Sequence, residues 1–182
     1  MNQAIVSIFG GSSPRPGSSN YEEAQRLGGL LAEAGYTIMT GGYSGTMEAA
    51  SRGAAEAGGH VIGVTVGLFE RTMGNRANPY VTEVIHYETL RERLFHLVER
   101  ADANVALPGG IGTLSEVALT WSLLQVGEIA PRPFVLLGEY WRDVLYTYYG
   151  QGEYIRDADM ALWRVVRTPE QAVAAIRDWE GV

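Results

Sequence analysis

Ala4-Ile5-Val6-Ser7-Ile8-Phe9-Gly10-Gly11-Ser12-Ser13-Pro14 sets the pattern on which the rest of the chain is built. The first six residues, rich in β-branched and aromatic side chains, read as a buried strand, and the glycines, serines and proline stop it. From Asn20 to Ala34 the apolar residues Ala24, Leu27, Leu30, Leu31 and Ala34 recur at helical spacing, and Gly35 is a C-terminal stop. Tyr36–Thr40 reads as the second strand. Strand, helix and strand in that order form a parallel crossover unit.

The unit repeats along the chain. An Ala-rich helix is predicted from Thr46 to Ala57, then a strand at Val61–Val66 and a polar loop from Gly67 to Asn78, long enough to point to function. Val81–His86 reads as a strand, Thr89–Arg100 as a helix and Ala103–Leu107 as a strand. Pro108-Gly109-Gly110-Ile111-Gly112-Thr113 opens a helix running to about Leu124. Phe134–Leu137 and Trp163–Val166 are further strands, with a helix near Glu139–Tyr149 between them and a last helix behind the capping box Thr168-Pro169-Glu170-Gln171. The expectation is one α/β domain over 1–182, a Rossmann-like doubly wound parallel sheet.

Composition narrows the chemistry. The net charge of −7 argues against a nucleic-acid partner, which needs a basic footprint, but leaves room for a small phosphate ligand held locally. There is no cysteine, so disulfides, thiol nucleophiles and Cys-based metal centres are excluded. All 14 basic residues are arginine. Without lysine there is no Schiff base to pyridoxal phosphate and no Walker-type P-loop. No apolar run approaches the roughly 20 residues of a membrane helix, and no signal peptide is visible, so a cytoplasmic protein with no membrane partner is expected.

Glycine-rich loops at Gly10, Gly41 and Gly109 each follow a strand and lead towards a helix. In open α/β sheets ligands bind beyond the carboxyl ends of the strands, and helix N-termini attract anions. Three such loops on one edge favour a phosphate-bearing ligand over ordinary tight turns. None fits a dinucleotide or nucleoside-triphosphate pattern. Thr113, Glu116 and Thr120 share one face of the helix after Gly112, amid Leu114, Val117, Leu119 and Trp121. A carboxylate there is either a functional group or a first-turn glutamate favoured by the helix dipole. Arg91 and Arg93 begin the preceding helix, where one arginine could reach the same crevice but any single arginine is more often a surface charge. His60, His86 and His96 lack metal-ligand spacing, and no metal is expected. Ser44 falls short of a nucleophile elbow.

Pro108-Gly109-Gly110-Ile111-Gly112-Thr113-Leu114-Ser115-Glu116 resembles the PGGxGTxxE signature of the LOG family, the cytokinin riboside 5′-monophosphate phosphoribohydrolases long labelled lysine decarboxylases. Phe9-Gly10-Gly11-Ser12-Ser13 resembles the family's first loop, Gly41-Gly42 with Gly45 its second, and Thr120-Trp121 a later Thr-Trp pair. The resemblance implies release of free base and ribose 5-phosphate from a nucleoside 5′-monophosphate, no cofactor, and a homodimer or larger assembly. Its catalytic pair maps to Arg93 and Glu116. Substrate and phosphate contacts map to Gly11, Ser12, Gly42, Gly45, Thr46, Gly109, Gly110, Ile111, Gly112, Thr113 and Thr120, and, across a gap, a base-contacting glutamate maps to Glu70. Three positions depart from the pattern: Leu94 stands for a lysine, Ser115 for a glutamate, and the second loop continues Tyr43-Ser44-Gly45-Thr46. The alternative reading is a non-catalytic carrier of a nucleotide or of the pterin phosphate of the molybdenum cofactor, to which that second loop is similar.

Overall fold

The computed structural model describes residues 3–150 and 154–181. Seven parallel strands form one sheet: β1 (Ile5–Phe9), β2 (Thr37–Thr40), β3 (Val61–Val66), β4 (Glu83–Tyr87), β5 (Ala103–Ala106), β6 (Phe134–Leu137) and β7 (Arg164–Val166). They lie in the order β4-β3-β2-β1-β5-β6-β7. The expected doubly wound α/β architecture is therefore present. β1 pairs with β2 on one side (Val6 opposite Ile38) and with β5 on the other (Val6 opposite Ala103), so the strand order reverses at the β1/β5 boundary. A crevice opens at such a switch point because successive crossovers leave it in opposite directions.

The pleat divides the core between two faces. Val6 and Ile8 of β1 pack with Ile38 against Leu27 and Leu31 of α1 (Ser19–Glu33), Ala49 and Ala50 of α2 (Thr46–Glu56) and Ile176 of the last helix. Phe9 and Met39 point the other way, towards Leu97, Val117 and Trp121 on the helices of the opposite layer. β3 is buried at all six positions, as a strand covered on both faces must be. No helix among the described residues is long and apolar enough to cross a membrane.

Two expectations need correction. The stretch 67–78 is not all loop: Gly67–Met73 is a helix, α3, closed by Gly74 in the left-handed conformation. Seven residues are too few to show amphipathic periodicity, and α3 is held by tertiary contacts, the ion pairs Arg71–Glu88 and Glu70–His86 together with the ring of Phe69 against Tyr43. The fourth strand runs from Glu83 to Tyr87, two residues beyond the expected start. Thr82 instead ends the approach to the strand, its hydroxyl accepting from the Val61 amide and donating to the Val61 carbonyl, both at 2.9 Å. α4 (Leu90–Glu99) starts from a full capping box at Thr89 and Glu92. α5 (Ile111–Val126) and α6 (Glu139–Tyr149) complete that layer with α7 (Asp157–Met160), a single turn without a sequence signal, and α8 (Pro169–Arg177) closes the chain.

Candidate active site

The three glycine loops meet at the switch point and brace one another. The Gly11 amide donates to the Pro108 carbonyl at 3.3 Å, and the Thr46 amide and hydroxyl both donate to the Gly11 carbonyl, at 2.9 and 3.1 Å. A Cβ on Gly109 would lie 2.9 Å from the Gly11 nitrogen. Gly45 has φ +76°, and a Cβ there would run into the Gly11 carbonyl and lie 2.6 Å from the Ser12 Cα. Gly45→Ala therefore combines left-handed strain with a backbone clash and is expected to destabilise the fold by about 2 kcal/mol or more. Urea denaturation checks this; a variant within experimental error of the parent would show that the loops yield freely.

Asn78 holds the second loop from outside. Its amide nitrogen donates to the Gly42 and Tyr43 carbonyls, each at 3.1 Å, and its backbone amide donates to the Gly42 carbonyl at 2.8 Å. Tyr43 turns its hydroxyl back to β3, accepting from the Val66 amide at 2.8 Å and donating to the Val66 carbonyl at 3.2 Å. Neither role is legible in sequence, because both depend on loops brought together from distant positions.

α5 follows the N-cap Gly110, which makes no side-chain cap, so no cap takes up the first-turn amides at Ile111, Gly112 and Thr113 and their partial positive charge. One turn on, Glu116 is 9% exposed although it is ionisable. No hydrogen bond reaches its carboxylate from any described residue. Burial pushes its carboxyl up to about 7, against a smaller opposing pull from the charge of Arg93. A first-turn glutamate serving only the helix dipole would be hydrated and ordinary in acidity. Thr120, a turn deeper, is fully buried with its hydroxyl donating to the Glu116 carbonyl at 2.8 Å, which leaves it no exposed surface for a ligand.

Arg93 projects from the first turn of α4 into the same interior and is 6% exposed. Its Nε donates to the Val64 carbonyl at 2.8 Å and its Nη2 to the Gly41 carbonyl at 3.2 Å. A Cβ at residue 41 would strike that Nη2, so the glycine makes room for the guanidinium. No described carboxylate lies within 4.0 Å of Arg93. The two charged groups feel each other yet do not pair, and Nη1 keeps its N–H groups free. A buried cation and a buried carboxyl that do not pair with each other, near the ends of the central strands, make this pair the candidate functional group of the fold.

The other expected residues lie around this pair. Ser12 is exposed, and its carbonyl accepts from Ser44 at 3.3 Å. Gly110, Ile111 and Gly112 are exposed at the start of α5, and Thr113 is buried against Gly109. Glu70, on α3, stands 3.4 Å from His86, which also bonds the Thr65 hydroxyl at 3.0 Å. His60 pairs with Glu83 and His96 with the Tyr87 hydroxyl, consistent with structural or surface roles for both.

The family model described as "possible lysine decarboxylase" matches residues 47–176. A cytokinin riboside 5′-monophosphate phosphoribohydrolase of Rhodococcoides fascians is 32% identical over 179 residues, covering 94% of this chain and 88% of that one. The chain belongs to the LOG family. A probable phosphoribohydrolase of the same name from Oryza sativa subsp. japonica is 36% identical over 125 residues, 66% of this chain but only 50% of the rice protein, so the match spans half of that relative's length. Among solved structures, the molybdenum cofactor binding protein of Rippkaea orientalis superposes with a TM-score of 0.76 at 26% identity, covering 98% of each chain. The molybdenum cofactor carrier protein of Chlamydomonas reinhardtii gives 0.73 at 25% identity, covering 97% of this chain and 98% of that one. This LOG-family chain thus shares its fold with carriers as well as its sequence signature with hydrolases.

Proposed function

We propose that the chain hydrolyses the N-glycosidic bond of a nucleoside 5′-monophosphate, giving free base and ribose 5-phosphate. The observation that carries this reading is the desolvated Glu116 carboxyl, without a hydrogen-bond partner among the described residues, one turn beyond the uncapped N-terminus of α5 and within electrostatic reach of the buried Arg93. The 5′-phosphate is held by the amides from Gly109 to Thr113, with Gly11, Ser12, Gly42, Gly45 and Thr46 shaping the opposite wall. Arg93 presents Nη1 to phosphate or ribose and fixes the sugar's orientation. Glu70 faces the base from α3.

The bond between the anomeric carbon and the base nitrogen breaks with its electron pair leaving on the base, and positive charge spreads over the ribosyl ring. Glu116 as carboxylate stabilises that charge and takes a proton from the attacking water, whose oxygen bonds the anomeric carbon; the proton then passes to the departing base nitrogen, which leaves as free base and restores the carboxylate. A base with a carboxyl near 7 operates close to neutral pH, where proton transfer is efficient. Because Glu116 must be ionised, kcat/KM for AMP is expected to rise with pH through about 7 and level off above it. A rate profile with its acid limb near 4 to 5, the range of an ordinary carboxyl, would assign the step to another group.

The direct test is incubation of purified protein with AMP and assay for adenine and ribose 5-phosphate. A second reading, a carrier that binds a pterin phosphate without cleaving it, draws on the near-complete overlap with the two molybdenum-cofactor proteins and on Leu94 in place of the family lysine. Tight binding of a pterin phosphate with no release of base from any monophosphate favours it. Self-association fits the exposed apolar residues Leu90, Ile111 and Leu114 near the starts of α4 and α5, with Ile111 at 79% exposure, and light scattering measures it.

A further inference from the structure

We propose that Tyr43 and Phe69 are positioning residues for Arg93: their rings hold the buried guanidinium in place as a cation that pairs with no described carboxylate and acts electrostatically on Glu116. The Cζ of Arg93 lies 5.7 Å from the Tyr43 ring centroid and 5.9 Å from that of Phe69. The two centroids are 5.8 Å apart with the rings tilted at 57°, so the three groups form a nearly equilateral triangle. A ring quadrupole attracts a cation at this range and supplies no proton acceptor. Aromatic contacts therefore offset part of the desolvation of Arg93 without consuming its N–H groups. An aspartate or glutamate in the same place would pair with the guanidinium and cancel its field at Glu116.

Each ring is fixed independently of the arginine. Tyr43 is anchored at its hydroxyl by both backbone groups of Val66 and is 4% exposed. Phe69 rides on α3, which is tied to the end of β4 through Arg71 and Glu88 at 2.9 Å and through Glu70 and His86 at 3.4 Å. The rings therefore hold the arginine, and the arginine does not merely fill space beside them. The second-loop residue that departs from the family's pattern acquires a purpose here: Tyr43 comes from the loop whose Gly41 carbonyl also accepts from Arg93. Leu94 follows this arginine, so the neighbouring position adds no second cation beside it.

The proposal deepens the hydrolase reading, but its test does not depend on turnover. Arg93 is the charged group acting on Glu116, and Tyr43 and Glu116 are those acting on Arg93, while Glu70 acts on Tyr43. Loosening the rings should weaken the positive field at Glu116 and raise its midpoint. The Glu116 carboxyl is titrated by carbon-13 NMR in the ligand-free protein, its signal assigned by loss in Glu116→Gln. Tyr43→Leu and Phe69→Leu are expected to move the midpoint upward by at least about half a pH unit, and Tyr43→Phe, which keeps the ring but gives up its anchor to Val66, to move it clearly less. If Tyr43→Leu does not fold, Phe69→Leu, at a half-buried position with no hydrogen bond to lose, decides alone. Unmoved midpoints in folded leucine variants overturn the proposal. So does a Tyr43→Phe shift as large as that of Tyr43→Leu, since the hydroxyl would then be the active part. Absence of AMP cleavage with these shifts present would count against the hydrolase and leave the positioning role standing.

Discussion

Glu116→Gln is expected to lower AMP turnover at least tenfold, to leave AMP binding intact and to make the folded protein more stable above neutral pH. The first effect follows from the loss of the carboxylate that stabilises the ribosyl cation and accepts the water's proton, since general-base steps contribute roughly 10²–10⁴ in rate. Binding is expected to survive because the proposed phosphate contacts, from loop and helix amides and Arg93, do not involve the Glu116 side chain. The stability gain follows from linkage. The folded-state carboxyl is raised to about 7 from an ordinary 4.5, so the folded protein holds its proton more tightly than the unfolded chain between those values. Stability therefore falls as pH rises from about 4.5 to about 7 and stays lower above, by an amount on the order of 3 kcal/mol. Glutamine does not ionise and escapes that cost. Thermal unfolding of both proteins at pH 5 and pH 8, with turnover measured beside it, checks all three. A variant with unchanged turnover would remove Glu116 from the chemistry. One that is inactive but no more stable at pH 8 would mean that the carboxyl is hydrated in solution.

The parts of this site that were legible in sequence are those written as local pattern. Strand-ending glycines at Gly10, Gly41 and Gly109 mark the binding edge because a loop after a parallel strand has to lie there. Glu116 is legible because a carboxylate six residues after Pro108-Gly109-Gly110 shares a helix face with Thr113 and Thr120, amid apolar rather than charged neighbours. Arg93 was ambiguous on its own, with Arg91 and Glu92 beside it and a capping box in front. Only the packing of α4 over β3 turns it inward to Val64 and Gly41. Tyr43, Phe69 and Asn78 stayed invisible for the same reason: each acts through a partner at least seventeen positions away, and no periodicity encodes such a pairing. α3 is not legible because a seven-residue helix held by Phe69 and by ion pairs to the end of β4 has no repeat to read.

Arg93→Met tests the other half of the site and is expected to reduce kcat/KM for AMP by about 10²–10³ while the protein still folds, the range found when one charge-stabilising donor is removed. Methionine fills much the same volume among Tyr43, Phe69 and β3, and exchanging a buried charge for an apolar side chain is commonly tolerated. Two carbonyls, those of Val64 and Gly41, lose a donor, which limits any gain in stability. With its positive neighbour gone, Glu116 loses the one influence that lowers its carboxyl, so the acid limb of the rate profile should move above about 7. Lysine is not a rescue. Its ammonium cannot reach two carbonyls along a planar edge and still offer a free pair of N–H groups, so Arg93→Lys should recover less than about a tenth of the lost activity. The methionine and lysine variants separate charge from geometry. Full activity in Arg93→Lys would mean that a point charge suffices, and parental activity in Arg93→Met would mean that the buried guanidinium holds the loops together and takes no part in binding or cleavage.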